Sequence, residues 1–135
     1  MLGEEGRALT TRRTVVYRVI VADDEGDFRH WLRSLLEGSP EFEVVGEAKT
    51  GIEALDLVSR LLPDVVITDM DMPDGDGVEV VRSLRDGRPG VKVIMVSGYS
   101  ERGYERLARE EGALAFFPKA ELSLDALRQV LLEEE

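Results

Sequence analysis

At 135 residues with a formal net charge of −11, the chain has the length of one domain. Its charge has the wrong sign for gripping a nucleic-acid backbone, where neutralising phosphates with Lys and Arg supplies most of the affinity. A hydrophobic fraction of 43% and a charged fraction of 33% are those of a soluble globular protein, and no apolar stretch approaches bilayer-spanning length. With no cysteine and one histidine, disulfides, thiolate metal sites and multi-histidine zinc sites are excluded. The expectation is a cytoplasmic protein whose domain contacts neither nucleic acid nor membrane.

Residues 1–14 lack the basic-then-apolar order of a signal peptide and read as a mobile N-terminal arm before a domain over 15–135. Tyr17 to Ala22 is a β-branched run too short for a helix, and it predicts a buried strand over 17–22. Phe28, Trp31, Leu32, Leu35 and Leu36 then fall on one helix face, predicting a helix near 26–37. The alternation continues with a strand at 42–48, a helix at 51–61 carrying Ala54, Leu55, Val58 and Leu61, and a strand at 64–69. Helices near 77–86, 101–111 and 123–132 interleave with strands at 92–97 and 115–117. Strands alternating with helices predict an α/β fold in which a doubly wound parallel sheet is covered on both faces, with ligands beyond the carboxyl ends of the strands.

Polar groups gather at those ends. Asp23 and Asp24 follow the first strand, Asp69 ends the third, Ser97 ends the fourth and Lys119 follows the fifth. Carboxylates brought together repel one another, which raises pKa values or recruits a cation. Mg²⁺ suits this set, because it takes oxygen ligands and often one or two carboxylates; Asp24 and Asp69 supply those, and the Asp71 carbonyl completes the protein's share. A metal-bound aspartate also serves as a nucleophile for phosphoryl transfer, with the Lys119 cation and the Ser97 hydroxyl directed at phosphoryl oxygens. The five residues therefore make a candidate phosphoryl-acceptor site.

Each piece alone has a plainer reading. Asp23-Asp24 could cap the following helix, and the segment Asp69 to Gly77 could be a polar or calcium-binding loop. The calcium reading fails on spacing, since Pro73 and Val80 stand where an EF-hand needs an oxygen ligand and a Glu. Ser97 lacks the glycine frame of a nucleophile elbow, with Met95 two residues before it. His30, between charged neighbours, is assigned no role.

Val21-Ala22-Asp23-Asp24, Asp69-Met70-Asp71-Met72-Pro73-Asp74-Gly75-Asp76-Gly77, Val96-Ser97-Gly98 and Phe116-Phe117-Pro118-Lys119 together resemble, in order and spacing, the receiver domain of two-component response regulators. The likeness covers residues 15 to 133. It implies a flavodoxin-like, three-layer fold with five helices around a five-stranded parallel sheet of order 2-1-3-4-5. It implies that Asp69 accepts phosphate from a sensor histidine kinase, that Asp24 binds Mg²⁺ directly and that Asp23 does so mainly through water. It further implies that Ser97 and Phe116 move on phosphorylation, reshaping the surface of the fourth helix, fifth strand and fifth helix. The segment Phe42 to Ala48 with Pro118-Lys119-Ala120 is similar to the NarL/FixJ-like subfamily, whose members usually carry a C-terminal helix-turn-helix domain. The expected output is transcription regulation through an effector absent from this chain, with a stand-alone receiver as the alternative.

Ala120 stands where many receivers have proline, and Phe116 replaces a frequent tyrosine, so the switch aromatic is purely apolar. Tyr99 and Asp71 flank the site and are expected to modulate the lifetime of the phosphorylated state, with slow hydrolysis favoured. The kinase is expected near the first helix, where Trp31 and Leu32 offer apolar contact. Arg102, Arg106 and Arg109 with Glu105, Glu110 and Glu111 offer charges for a homodimer through the switch surface. Because the site modifies only itself, the protein is expected not to be an enzyme. Two rivals remain: a phosphate-independent interaction module, and a haloacid-dehalogenase-type phosphatase using Asp69-Met70-Asp71. The latter family places its Asp-x-Asp near the start of the chain, unlike this order.

Overall fold

Along β1 (Tyr17–Ala22) successive side chains point to opposite sides, so Val19 and Val21 enter one apolar layer while Ile20 and Ala22 enter the other. The computed structural model, which describes residues 15–98 and 102–133, shows the same alternation in β3 and β4. The elements run β1, α1 (Gly26–Glu37), β2 (Phe42–Ala48), α2 (Gly51–Leu61), β3 (Val65–Asp69), α3 (Gly77–Gly87), β4 (Lys92–Ser97), α4 (Arg102–Glu111), β5 (Ala115–Pro118), a 3₁₀ turn (Lys119–Glu121) and α5 (Leu124–Glu133). The predicted bounds agree to within one residue, while the turn at 119–121 was not foreseen. The predicted mobile arm, residues 1–14, lies outside the described residues, as does Tyr99.

All five strands are parallel, in the order β2-β1-β3-β4-β5. Such strands need crossover connections, and the intervening helices supply them on both faces. On one face, Leu32 and Leu36 of α1 and Leu127 and Leu131 of α5 pack with Val21, Ile67, Ile94 and Val96. On the other, Ala54 and Val58 of α2, Val80 and Val81 of α3 and Ala108 of α4 pack with Ile20, Val66 and Met95. Each large apolar side chain buried this way contributes about 1.5–3 kcal/mol. No helix among the described residues is long and apolar enough to cross a membrane.

Two helix starts are fixed by side chains. Thr50 Oγ1 accepts a hydrogen bond from the Glu53 N–H at 3.0 Å to begin α2. Asp76 and Glu79 form a capping box at α3, with bonds of 3.0 and 3.3 Å. Asp76, one of the acids in the segment after β3, therefore has a structural use.

Gly77 is needed for close approach, because a Cβ there would lie 2.3 Å from the Asp69 carbonyl oxygen. At Gly51 a Cβ would meet the Gly75 carbonyl oxygen at 2.0 Å. The first turn of α2 thus leans on the loop after Asp69, and the Ile52 N–H donates to the Asp74 carbonyl at 3.1 Å.

Candidate functional site

The chain order reverses between β1 and β3, which is where an open parallel sheet leaves a crevice at its carboxyl edge. Asp23 emerges from β1 fully buried. Its Oδ1 accepts the Glu25 N–H at 2.8 Å, and its carbonyl accepts the Arg29 guanidinium at 2.6 Å. Asp24 follows, exposed. Asp69 is the last residue of β3 and 7% exposed, with a long 3.5 Å bond from the Asp71 N–H to its Oδ1. Thr68, buried beside it, donates from Oγ1 to the Asp69 carbonyl at 3.0 Å.

One carboxylate oxygen from each of Asp23, Asp24 and Asp69 lies within 4.8 Å of the other two. Asp23 Oδ2 is buried, with the Lys119 ammonium 2.8 Å away as its counter-ion. A buried oxygen so placed among three carboxylates fits a hard divalent cation. Asp71 is exposed and lies outside the three-carboxylate cluster. It lines the open cleft of ≈ 580 Å³ above the site, with Asp24, Glu25, Asp69, Gly98 and Lys119.

The electrostatics follow from burial. Desolvation, reinforced by the Asp23 charge, pushes the Asp69 carboxyl up to about 6 against the opposing pull of Lys119. For Lys119, burial disfavours the charge, but Asp23 and Glu25, with Asp69 beyond them, outweigh it and hold the ammonium above the usual lysine value. Lys119 Nζ stands 3.6 Å from Asp69 Oδ2. Ser97 is buried at the end of β4 and paired in register with Pro118, one residue before Lys119.

The structure therefore brings Asp23, Asp24, Asp69 and Lys119 together, with Ser97 at the end of the neighbouring strand. Phe116 is 7% exposed and packs with the second apolar layer, so its expected inward rotation begins from a ring already buried. The plainer reading of Asp23-Asp24 as a helix cap is not what the structure shows. Glu25 is the N-cap residue of α1, no side chain caps it, and Asp23 bonds the Glu25 N–H instead. Leu32 is also corrected as a docking residue, since it is fully buried, whereas Trp31 is 44% exposed and rests on Phe28 with ring centroids 5.6 Å apart. Of the charges assigned to a dimer face, Glu111 pairs with Arg82 at 2.7 Å and Arg109 with Glu105 at 3.4 Å within the chain.

Two residues at the site were missed. Glu25 Oε1 accepts from Lys119 at 2.9 Å, and Lys119 Nζ sits 4.4 Å from the centre of the Phe28 ring. The pairing of Glu25 with Lys119 spans 94 positions, so no local pattern shows it. The one local signal for Glu25 is its position directly after the aspartate pair.

Residues 19–132 match the model of the response regulator receiver domain family. The chain is 39% identical over 119 residues to a protein-glutamate methylesterase/protein-glutamine glutaminase of Pyrococcus abyssi, covering 87% of this chain and 32% of that protein. It is 36% identical over 110 residues to the transcriptional regulatory protein DegU of Brevibacillus brevis, covering 82% and 46%. Among solved structures, the receiver domain of the response regulator NarL from Mycobacterium tuberculosis superposes with a TM-score of 0.80 at 33% identity, covering 87% of this chain and 94% of that one. The chain spans less than half the length of the two curated relatives named here.

These likenesses correct the expectation that the protein is not an enzyme. Several of the similar proteins are named methylesterases and glutaminases, so a receiver of this kind occurs within enzymes and does not by itself exclude one. NarL-type receivers are also among its relatives, as the subfamily resemblance implied. The chain is a response regulator receiver domain, with the flavodoxin-like fold of that family.

Proposed function

We propose that Asp69 accepts a phosphoryl group from a phosphohistidine on a sensor histidine kinase, in a Mg²⁺-dependent step of a phosphorelay. The observation that carries this is the buried Asp69 carboxylate, within reach of two further carboxylates and of the Lys119 ammonium at one sheet edge. In the transfer, an Asp69 oxygen attacks phosphorus and forms the new O–P bond as the N–P bond to the imidazole breaks. The imidazole nitrogen keeps the electron pair and takes a proton. Asp23, Asp24 and Asp69, with the Asp71 carbonyl, would hold Mg²⁺, which supplies positive charge against the phosphoryl oxygens. Lys119 neutralises another phosphoryl oxygen, and the Ser97 hydroxyl donates to a third.

The phosphorylated state differs from the resting one at Ser97 and Phe116, and through them at the surface of α4, β5 and α5. That surface controls an output in an effector outside this chain. Its likeness to NarL and DegU favours transcription regulation, while the methylesterase relatives place a receiver beside an enzyme. The kinase docks beside α1, where Trp31 offers apolar contact. A homodimer through the switch surface would draw on Arg106 and Glu110, since Arg109, Glu105 and Glu111 are already paired. The domain works in the cytoplasm. Tyr99 and Asp71 modulate hydrolysis, which is slow; a phosphorylated lifetime of seconds in Mg²⁺ would contradict that.

The assignment is tested by phosphorylating the protein with a small donor in Mg²⁺, reducing the acyl phosphate with borohydride and mapping the modified residue by peptide mass. Reduction confined to Asp69 is expected. Modification of Asp24 or Asp71 instead, or none at all, contradicts the reading.

A further inference from the structure

Lys119 is held from three sides before any phosphoryl group arrives. Its Nζ lies 2.8 Å from Asp23 Oδ2, 2.9 Å from Glu25 Oε1 and 4.4 Å from the centre of the Phe28 ring, whereas the acceptor oxygen Asp69 Oδ2 is farther, at 3.6 Å. Two of the three contacts come from the start of α1. Glu25 and Phe28 are three positions apart, the spacing that places residues on one helix face. Glu25 makes no side-chain cap bond to its own helix, so its carboxylate serves Lys119 instead.

The two contacts differ in kind. The Glu25 side chain is 67% exposed, and an ion pair so open to water is weak and readily exchanged. Phe28 is half-buried, wedged against Trp31, and attracts the ammonium through its ring face without competing as an anion. A phosphoryl group on Asp69 would bring its oxygens to the same ammonium and compete with Glu25 for its charge.

We propose that Glu25 and Phe28 are positioning residues for Lys119: Phe28 is its fixed seat, and Glu25 is the exchangeable counter-ion that Lys119 releases when it pairs with the phosphoryl group. This deepens, and rests on, the assignment of Asp69 as phosphoacceptor. Its consequence is that Glu25 competes with the phosphoryl oxygens, so the chain sets its own threshold for entering the phosphorylated state. Removing the competitor lowers that threshold, and removing the seat raises it.

The test is the affinity of the full chain for beryllofluoride, an analogue of the phosphoryl group, in saturating Mg²⁺, followed by ¹⁹F NMR. Glu25→Gln is expected to bind about two- to five-fold more tightly, the range of an exposed ion pair. Phe28→Leu is expected to bind about two- to five-fold more weakly through loss of the ring–cation contact. Asp27→Asn removes the same unit charge from the same helical turn, away from the Lys119 ion pairs, and is expected to change affinity less than Glu25→Gln. Equal or weaker binding by Glu25→Gln, or an equal gain from Asp27→Asn, overturns the proposal in favour of a general charge effect. The ¹⁵N resonance of the Lys119 ammonium, recorded without beryllofluoride, is expected to move in both Glu25→Gln and Phe28→Leu; an unmoved signal means that neither contact positions the lysine. If those shifts occur but the wild type binds no beryllofluoride in Mg²⁺, the phosphoacceptor reading fails, and the hand-over fails with it while the resting contacts stand.

Discussion

The leucine layer under α1 and α5 and the carboxyl edge of the sheet are both buried, yet they bear on stability with opposite signs. In the layer, Leu32, Leu36, Leu127 and Leu131 are at most 1% exposed and pack in one apolar cluster with the sheet, so burial there stabilises the fold. At the edge, Asp23 and Asp69 are nearly as buried, but burial works against the Asp69 charge and lifts its carboxyl to about 6. One region holds the domain together, and the other keeps carboxylates in a state that a cation would relieve.

The contrast is sharpest when the layer is cut. Leu127→Ala is expected to lose about 2–5 kcal/mol in denaturant unfolding, because the lost transfer energy adds to that of the cavity left behind. A loss below about 1 kcal/mol would mean that α5 is far less tightly seated than its burial implies. Relief of the edge should be nearly as large and of opposite sign. Mg²⁺ at a hundredfold its dissociation constant is expected to stabilise the wild type by about 2.7 kcal/mol, through binding to the folded state alone. Asp24→Asn should lose most of that gain, and an equal gain in the mutant would remove Asp24 from the cation site.

A third effect isolates Asp69 without metal. Its folded pKa, about 6, lies above the unfolded value of 3.8, so the protonated carboxyl favours the fold. That contribution is fully present below about pH 4 and is lost as pH rises through about 6. Metal-free Asp69→Asn, which cannot ionise, is therefore expected to be more stable than wild type at pH 7.5, on the order of 1 kcal/mol after allowance for solvent screening. The difference should shrink towards zero near pH 4. A constant difference across that range would show that Asp69 ionisation is not what strains the edge.

The smallest effect belongs to neither region. Arg82 and Glu111 tie α3 to α4 in a bidentate pair of 2.7 and 3.0 Å, and Arg82 is half exposed. Arg82→Ala should cost less than about 1 kcal/mol globally. Faster amide exchange confined to α4 is the expected signature, because a surface tie affects local opening more than global unfolding.

The two regions were also legible to different degrees. The layers could be read largely from local pattern: the β-branched run of 17–22 marks a buried strand, and the spacing of Leu32 and Leu36 marks an apolar helix face. The acids and Lys119 were legible as a set because each stands at a strand end, and a parallel sheet aligns those ends. What one-dimensional pattern could not give were contacts made across the crevice. Glu25 meets Lys119 only once β5 is placed on the same edge as β1 and α1, and Leu32 reads like Trp31 until the sheet decides which side of α1 faces inward. The internal pairing of Glu111 with Arg82 was hidden for the same reason, since α3 and α4 come together only over the finished sheet.

The most direct test of the phosphoacceptor account is intact mass after incubation with Mg²⁺ and acetyl phosphate, with wild type and Asp69→Asn treated side by side. The account predicts a single phosphoryl adduct on the wild type that requires Mg²⁺ and is missing from the mutant. An adduct that persists in Asp69→Asn, or a wild type that binds Mg²⁺ yet takes no phosphoryl group, would contradict it.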